Sequence, residues 1–292
     1  MNGFLNILKP PGMSSGGVVT KFKYLTGERT GHAGTLDPEA AGVLPVMIGR
    51  ATRLLDYLPD DKKVYVCEIA FSGATTTQDA QGVIVEEGRG VPEQKELEDI
   101  LPYFTGNVLQ KPPMYSALKR DGVALYKLAR RGAEVELEER NVMIRSIELL
   151  GKGEKDSYRL RICCGRGTYI RTLCHDIGQS LGYPAHMRFL LRTASAGLSI
   201  EDSHLIEEFE TPLDAERVLL PMDRLLTHIP PFKVDPYYRI QAANGKAVPC
   251  KEEIKGPVRM YLDGVLIGIA EQREQDQLLH FKVICADYHD FA

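Results

Sequence analysis

The chain has 292 residues, more than one compact domain usually contains, so a large domain and a small one are expected. Hydrophobic residues at 43% and charged residues at 26% exclude a disordered chain. The net charge of −4 excludes a protein that coats nucleic acid without selectivity, because such proteins are basic. The sequence contains no apolar run near the roughly 20 residues of a membrane helix and no signal-peptide pattern, so we expect a cytoplasmic protein without membrane contact.

The six cysteines and seven histidines do not have the spacing of a metal site. Cys163 and Cys164 are adjacent, but no CxxC, HxxxH or HExxH pattern occurs. We therefore expect no metal, and cysteines that are reduced and mostly buried. The sequence also lacks a Walker loop and a GxGxxG motif, so nothing in it indicates a nucleotide cofactor.

Strands and helices alternate irregularly along the first two thirds of the chain. Strands are predicted from alternating or continuous apolar runs, and helices from apolar residues at helical spacing that end at Gly or Pro. Pro10 and Pro11 end the first strand, and Gly27 ends the first helix. In chain order the predictions are a strand at 4–8, a helix at 18–25, a strand at 43–48, a short helix at 51–58, a strand at 64–71, a helix at 97–104, strands at 143–150 and 158–164, and a helix at 168–181.

Positive charge is concentrated in two stretches. Residues 111–131 contain six basic residues and one acid, and residues 158–192 contain six basic residues and one acid, whereas acids gather at 86–99, 134–139 and 201–216. The first stretch lies in a long basic excursion at about 108–135, which leads into a predicted helix and suggests a binding loop. A local basic surface on an acidic body suits one folded polyanion, although such charge runs can also be solvated faces.

The composition changes at residues 228–231, where His-Ile-Pro-Pro follows a helix-like stretch at 216–226. Beyond it lie short strands at 259–262, 265–270 and 278–284, with Asp263-Gly264 as a type I′ hairpin turn. We therefore predict an α+β fold, with a mixed, largely antiparallel central sheet and flanking helices in residues 1–228. Residues 229–292 are predicted to form a small β-barrel-like domain.

One short motif matches a hydrolase pattern. Residues 12–16, Gly-Met-Ser-Ser-Gly, fit the GxSxG motif that places a nucleophilic serine, here Ser14, between a strand and a helix. Against this reading, Pro10 and Pro11 break the preceding strand, and no segment resembles the oxyanion-binding loop of those enzymes.

The segment GHAGTLDPEAAG at residues 31–42 places His32 and Asp37 among small residues that allow a ligand to approach closely. Pro38 biases Asp37 away from helical angles and so holds it on a loop. Taken alone, Asp-Pro is commonly just a turn, and Arg171 could be an ordinary helix charge. Composition and spacing therefore lead no further than a loop-borne carboxylate, basic patches and aromatic residues.

Several segments together resemble the TruB family of tRNA pseudouridine synthases, in order and across nearly the whole chain. The resemblance makes the GxSxG match part of a structural segment and makes residues 229–292 a PUA-type RNA-binding domain. It implies the pseudouridine synthase fold and isomerisation of uridine 55 in the T-loop of tRNA, without a cofactor. The matching segments are KPPGMSS (9–15), GHAGTLDPEAAG (31–42), KVY (63–65), PMYSALK (113–119), GTYIR (167–171) and Ala185-His186 with Leu190.

The resemblance also implies roles for single residues. Asp37 matches the catalytic aspartate, which attacks C1′ or removes a sugar proton, and Arg171 matches the arginine paired with it. Tyr65 matches the tyrosine that stacks on the uracil and is a candidate for handling the C5 proton. The base must be flipped out of the RNA, and His32 fills its place. The other expected substrate-binding residues are Tyr169 and Leu190 in the pocket and the basic Lys9, Arg53, Lys119 and Arg120.

Three alternatives compete with this reading. A non-catalytic RNA-binding protein on the same fold would be favoured had Asp37 been replaced. A guide-RNA-dependent relative from ribonucleoprotein particles would usually carry a longer C-terminal region. The third alternative is a serine hydrolase acting through Ser14. We expect the T-arm of tRNA as the partner, no protein partner and a monomer.

Overall fold

The computed structural model describes residues 1–59, 62–115, 119–120, 122–125, 137–273 and 276–286. The strands are β1 (Gly3–Lys9), β2 (Thr30–His32), β3 (Ala41–Ile48), β4 (Lys63–Ala70), β5 (Gly73–Thr75), β6 (Ile84–Glu87), β7 (Gly106–Gln110), β8 (Lys119–Arg120), β9 (Val123–Ala124), β10 (Arg140–Lys152), β11 (Ser157–Cys164), β12 (His186–Ser195), β13 (Leu198–Ser199), β14 (His204–Leu205), β15 (Pro231–Lys233), β16 (Val248–Pro249), β17 (Pro257–Leu262), β18 (Val265–Gln272) and β19 (Leu278–Ile284). The α-helices are α1 (Ser15–Thr26), α2 (Gln94–Ile100), α3 (Ile170–Leu181), α4 (Pro212–Arg217) and α5 (Arg239–Ala243). The 3-10 helices are Gly49–Tyr57, Leu101–Phe104, Ile200–Asp202, Ile206–Glu208 and Pro236–Tyr238.

A ten-stranded sheet forms the body of the protein. Its main path runs β14-β1-β3-β12-β4-β11-β10-β7, with β13 beside β12 and β2 beside β3. Two of its pairings are parallel, β1 with β14 and β3 with β12, and the others are antiparallel. This architecture confirms the predicted α+β class with a mixed, largely antiparallel sheet.

The largest core lies between one face of the sheet and helix α3. The alternating pattern of β4 and β11 buries Cys67, Ile69, Leu160 and Ile162 completely, and α3 covers them with its own apolar side chains. Fully burying one such aliphatic side chain stabilises the fold by about 1.5–3 kcal/mol. Because α3 is fixed in this way, its first turn is held next to the start of β4.

Residues 231–284 form a second sheet with the order β15-β17-β18-β19-β16, which fits the PUA-like domain. Asp263 and Gly264 have φ angles of 50° and 82°, and these positive values confirm the predicted type I′ turn between β17 and β18. The second sheet shares a core with the body, where Leu54 and Leu58 pack with Leu266. The boundary between two domains at residues 228 and 229 stays a prediction.

Several sequence-based predictions differ from the structure. The helix at 51–58 is a 3-10 helix, Gly49–Tyr57. The prediction of a helix-like stretch at 216–226 is wrong for most of its length. Helix α4 ends at Arg217, and Leu220 forms a β-bridge with Phe4. Pro221 has no N–H to continue a helix. Strand β12, a central strand, was not predicted.

Other predictions concern the cysteines, membrane contact and the basic excursion. All six cysteines are free, and five are buried. Among the described residues, no helix has the length and apolar character to cross a membrane. Part of the predicted helix in the basic excursion falls on residues 126–136, which lie outside the described residues, while β8 and β9 form a short hairpin before it.

Candidate active site

A cleft of about 300 Å³ opens where the loop between β2 and β3 meets the start of β4 and the first turn of α3. The loop, β4 and α3 each contain part of a segment singled out in the sequence, namely 31–42, 63–65 and 167–171. Its lining residues are Gly34, Thr35, Leu36, Asp37, Lys63, Tyr65, Gly165, Gly167, Thr168, Tyr169, Ile170, Arg171, Leu190 and Arg192. The structure therefore brings together Asp37, Tyr65, Tyr169, Arg171 and Leu190 from four separate parts of the chain.

Asp37 and Arg171 form a two-pronged ion pair in the wall of this cleft. Nε of Arg171 lies 3.0 Å from Oδ2 of Asp37, and Nη2 donates to Oδ1 at 3.2 Å. The Arg171 side chain is 5% exposed, whereas that of Asp37 is 39% exposed. The guanidinium fork thus fixes the plane of the carboxylate and leaves the carboxylate open to the cleft.

Arg171 also contacts two segments that the sequence did not connect with it. Nη1 donates to the carbonyl oxygen of Thr77 at 3.3 Å and lies 3.6 Å from Oδ2 of Asp79. Nη2 donates to the carbonyl oxygen of Tyr115 at 2.9 Å. Asp79 is a neighbour of the site that sequence reasoning missed, because no motif or spacing links it to position 171.

Burial raises the pKa of the Asp37 carboxyl above its ordinary value of 3.8. The positive charge of Arg171 opposes this shift, the negative charge of Asp79 adds to it, and Lys9 opposes it more weakly. The direction differs from the expectation from Arg171 alone, which favours the ionised form, because desolvation is the larger effect. Asp37 is therefore more basic than a free aspartate.

Buried polar groups support the loop that carries Asp37. Arg192 is fully buried and donates from Nε to the carbonyl oxygen of Val43 at 2.8 Å and from Nη2 to that of Gly34 at 2.8 Å. Oγ of Ser15 donates to the carbonyl oxygen of Leu36 at 3.0 Å and accepts from its N–H at 2.9 Å. These contacts fix the loop on both sides of the site.

Lys9 is part of this support and does not line the cleft. It is fully buried, and its ammonium group donates to the carbonyl oxygens of Pro10 at 2.7 Å, Met13 at 2.5 Å and Pro38 at 2.8 Å. Desolvation lowers its pKa from 10.5 to about 8, although Glu39 and Asp37 oppose the shift. Since its three N–H donors are taken by the protein, this geometry favours a structural role over the predicted contact with substrate.

Tyr65, Leu190 and Tyr169 form the apolar wall of the cleft. Tyr65 and Leu190 are both 7% exposed and come from the neighbouring strands β4 and β12. Tyr169 precedes α3, and its backbone is held by Gln110, a residue that the sequence did not single out. An aromatic and aliphatic wall beside an ion pair suits a planar, polar ring such as a nucleobase.

His32 lies on β2 and lines a second cavity of about 550 Å³, which shares Asp37 and Arg171 with the cleft. Desolvation, followed by the positive charge of Arg192, lowers the pKa of its imidazole and favours the neutral form. Its buried Nδ1 has no hydrogen-bond partner among the described residues. The predicted role of His32 in filling the place of a flipped base stays a prediction.

Three further residues, Arg53, Lys119 and Arg120, were predicted to bind substrate. Arg53 is exposed, donates to the carbonyl oxygen of Ile284 at 2.8 Å and lines a separate cavity with Arg29 and Arg50. Lys119 and Arg120 form β8, but their side chains lie outside the described residues. Arg53 therefore does not line the cleft, and the contacts of all three residues with substrate stay predictions.

Ser14 is the N-cap of α1. Its Oγ accepts the N–H of Gly17 at 3.0 Å, and its backbone is extended, with φ −75° and ψ 153°. A nucleophile elbow needs a strained turn that exposes the hydroxyl, and this conformation is ordinary. The hydrolase reading of the GxSxG match is therefore wrong.

Comparison with known proteins gives the family. Residues 22–170 match the TruB family pseudouridylate synthase N-terminal domain, and residues 171–227 match the tRNA pseudouridylate synthase B C-terminal domain. The protein named tRNA pseudouridine synthase B in Alkaliphilus oremlandii is 42% identical over an alignment of 284 positions, which covers 94% of this chain and 95% of that protein. The protein of the same name in Pelotomaculum thermopropionicum is 42% identical over an alignment of 309 positions, which covers 98% of this chain and 96% of that protein.

Among solved structures, a chain of the crystal structure of a Cbf5-Nop10-Gar1 complex superposes with a TM-score of 0.73 at 24% identity. The match covers 98% of this chain and 86% of that one, and it shows a shared fold. The sequence matches and the fold agree with each other. The chain therefore belongs to the TruB family of pseudouridylate synthases.

Proposed function

We propose that this protein converts uridine to pseudouridine in tRNA, with uridine 55 of the T-loop as its site and Asp37 as its catalytic carboxylate. Membership of the family and the names of its curated relatives support the activity and the tRNA substrate. The observation that carries the residue assignment is the Asp37–Arg171 pair, which faces an apolar cleft beside Tyr65.

The reaction rearranges one nucleotide. The N1–C1′ bond breaks, the base turns, a C5–C1′ bond forms, and the proton on C5 is lost while N1 gains one. Atoms and electrons balance within the substrate and water, so the reaction itself consumes no oxidant, reductant or second substrate. The base must leave the RNA stack to reach the cleft, which costs about a few kcal/mol.

Asp37 acts next to the sugar in its ionised form. It either attacks C1′ as a nucleophile or removes a sugar proton to begin an elimination, and both routes require a free electron pair on the carboxylate. Arg171 orients that carboxylate through two N–H groups and favours its charge. Burial raises the pKa of Asp37 and so makes it a stronger base than a free aspartate.

Tyr65, Leu190 and Tyr169 would enclose the uracil while it turns. Their apolar surfaces would pack against a planar ring and would leave it free to rotate within its plane. A cleft of about 300 Å³ lies at the small end of the range for ligand pockets, which suits one base and its ribose. This enclosure keeps the detached base next to C1′ until C5 can bond.

The test uses purified protein alone and an unmodified tRNA transcript carrying tritium at C5 of uridine. Tritium release reports the loss of the C5 proton, and sequencing of the product locates the modified uridine. We expect release at one position, 55. Activity of the protein alone also separates it from a guide-RNA-dependent enzyme, and supports our proposal that it acts without a protein partner. We also propose that it is a monomer, which its molar mass in solution would test.

Asp37→Ala should abolish tritium release while tRNA affinity stays within a few fold of wild type, because the carboxylate acts in the chemistry. The exposed Glu39→Ala is a matched control, since it removes a carboxylate from the same loop, and it should keep turnover. Appreciable turnover in Asp37→Ala would refute the assignment of Asp37. Tight tRNA binding without turnover in the wild type would favour a non-catalytic RNA-binding protein.

A further inference from the structure

The basic excursion leaves the sheet and returns to it at neighbouring positions. Gln110 is the last residue of β7, Arg140 is the first residue of β10, and the two are paired across the ladder. The intervening chain is therefore anchored at one point of the sheet edge. A movement of the excursion can therefore reach the site in two ways: through this anchor, or through contacts that the excursion itself makes with the site.

The side chain of Gln110 does not stay within its own sheet. It is 2% exposed, and its carboxamide reaches the backbone of Tyr169 on both sides of that residue. Oε1 of Gln110 accepts the N–H of Tyr169 at 2.8 Å, and Nε2 donates to the carbonyl oxygen of Tyr169 at 3.0 Å. A carboxamide that pairs with one residue in this way fixes both the position and the orientation of its peptide groups.

Tyr169 is the residue before α3, and its extended backbone has φ −101° and ψ 110°. This helix has no side-chain cap hydrogen bond at its N-terminus, and Gln110 holds the backbone of the residue just before its first turn. Two further contacts join the same turn to the start of the excursion. Oγ1 of Thr172 lies 3.4 Å from the carbonyl oxygen of Lys111, and Arg171 donates to that of Tyr115.

We propose that Gln110 is a positioning residue for the reaction. Its carboxamide fixes Tyr169 in the cleft wall and, through the first turn of α3, sets where Arg171 holds the Asp37 carboxylate. Gln110 does not touch the cleft itself, and it acts through the backbone of Tyr169. The point where the RNA-binding excursion leaves the sheet is thereby linked to the catalytic pair, a link that rests on the proposed function.

Two variants of similar size test this role. Gln110→Leu removes both hydrogen bonds, and Gln110→Glu keeps the acceptor but, when ionised, places a second oxygen against the carbonyl of Tyr169. We expect kcat to fall about 10- to 100-fold in both at neutral pH, since a misplacement of about 1 Å can cost that much. The Kd for tRNA should stay within about threefold, because Gln110 does not line the cleft and touches no substrate in the proposed function.

The pH dependence separates positioning from a general effect on the fold. In the Gln110→Glu variant, a protonated carboxyl would have the same donor and acceptor pattern as the carboxamide, so kcat relative to wild type should rise as the pH falls. Burial raises the pKa of the introduced carboxyl and the nearby cations Lys111, Arg140 and Arg171 lower it, so we expect an ionised carboxylate at neutral pH and a protonated carboxyl at acid pH. The same ratio for Gln110→Leu should not change with pH.

Gln179→Leu is the matched control, because Gln179 lies near the other end of α3 and donates to Glu86 on the surface. It should behave as wild type. Wild-type kcat per folded molecule in Gln110→Leu would overturn the proposal, as would a ratio for Gln110→Glu that does not change with pH. An inactive wild type would instead refute the proposed function, so the two failures are distinguishable.

Discussion

The Arg171 guanidinium is shared among three segments that are far apart in the sequence. It holds Asp37 on one side, Thr77 and Asp79 on the second and Tyr115 on the third. Its planar arrangement of donors can meet all of them at once, which a lysine ammonium on a flexible stem cannot do. The charge of Asp37 and its orientation therefore depend on the same side chain.

Replacing Arg171 should move the acid limb of the pH–rate profile. In the proposed mechanism only ionised Asp37 reacts, so single-turnover rates should fall as the pH drops through its pKa, which burial raises above 3.8. Arg171→Met removes the positive charge, raises this pKa further and should shift the limb to higher pH. Arg171→Lys keeps a charge and should shift it less. Equal profiles for the two variants would contradict the argument.

Ser14→Ala should retain full turnover and lose stability. The substitution removes the hydrogen bond to the N–H of Gly17 at the start of α1, a cap worth about 1 kcal/mol. Urea unfolding measures the stability, and tritium release measures the turnover. Complete inactivity of a folded Ser14→Ala protein would revive the nucleophile reading.

The sequence predicted the cleft residues that lie inside family motifs, and missed those that reach the site through the fold. Asp37 and Arg171 are 134 positions apart, and only the resemblance paired them before the structure showed them in contact. Gln110 and Asp79 come to the same helix turn through a sheet edge and a hairpin. Such contacts depend on strand register, which no local pattern encodes.

At the scale of elements, the parallel contact between β3 and β12 constrains the loop that carries Asp37. Arg192 on β12 pairs with Gly42 at the start of β3. The φ of Gly42 is 117°, and a Cβ there would lie 2.2 Å from the carbonyl oxygen of Arg192. Glycine at the end of GHAGTLDPEAAG is thus needed for both conformation and space.

Gly42→Ala should therefore destabilise the protein by about 2–4 kcal/mol, from backbone strain and the steric clash together. Gly12→Ala is the matched control, because Gly12 also has a positive φ, 81°, but a Cβ there would meet no atom within 4 Å. It should cost about 1 kcal/mol, from strain alone. Urea unfolding compares the two, and equal losses would show that the contact with Arg192 does not matter.

Elements with strong periodic patterns were predicted within a few residues, such as β4, β11 and α3. Failures occurred where tertiary contacts override local preference. The stretch at 216–226 has a helical composition, but the N–H and carbonyl of Leu220 both bond Phe4 in β1. Residues 49–57 tighten into a 3-10 helix, in which Leu54 is completely buried beneath the second sheet.

For the whole molecule, the joint between the two sheets combines apolar packing with a polar network. Tyr261 on β17 donates to Oδ2 of Asp223 at 2.7 Å and accepts from Arg259 at 3.0 Å. Burial, followed by the Asp223 carboxylate, raises the pKa of Tyr261 to about 12. The phenol is therefore a donor at every pH at which the protein is handled.

Tyr261→Phe should lower the free energy of unfolding by about 1–3 kcal/mol, because Asp223 and Arg259 lose their shared partner. Tyr237→Phe makes the same chemical change at a side chain that is 85% exposed, and should stay within about 0.5 kcal/mol of wild type. Thermal unfolding should remain one transition in both, because the core is shared. A separate early transition in wild type would contradict that core.

The shared core around Leu54, Leu58 and Leu266 has a consequence for how substrates are chosen. The continuous core keeps the cleft of the main sheet and the surface of the second sheet at a constant distance from each other. An RNA that touches both must already have the matching span between its looped-out nucleotide and its second point of contact. The protein would then select an RNA by its overall dimensions before any base enters the cleft. An RNA of other dimensions would not be modified, even if it carried the correct base.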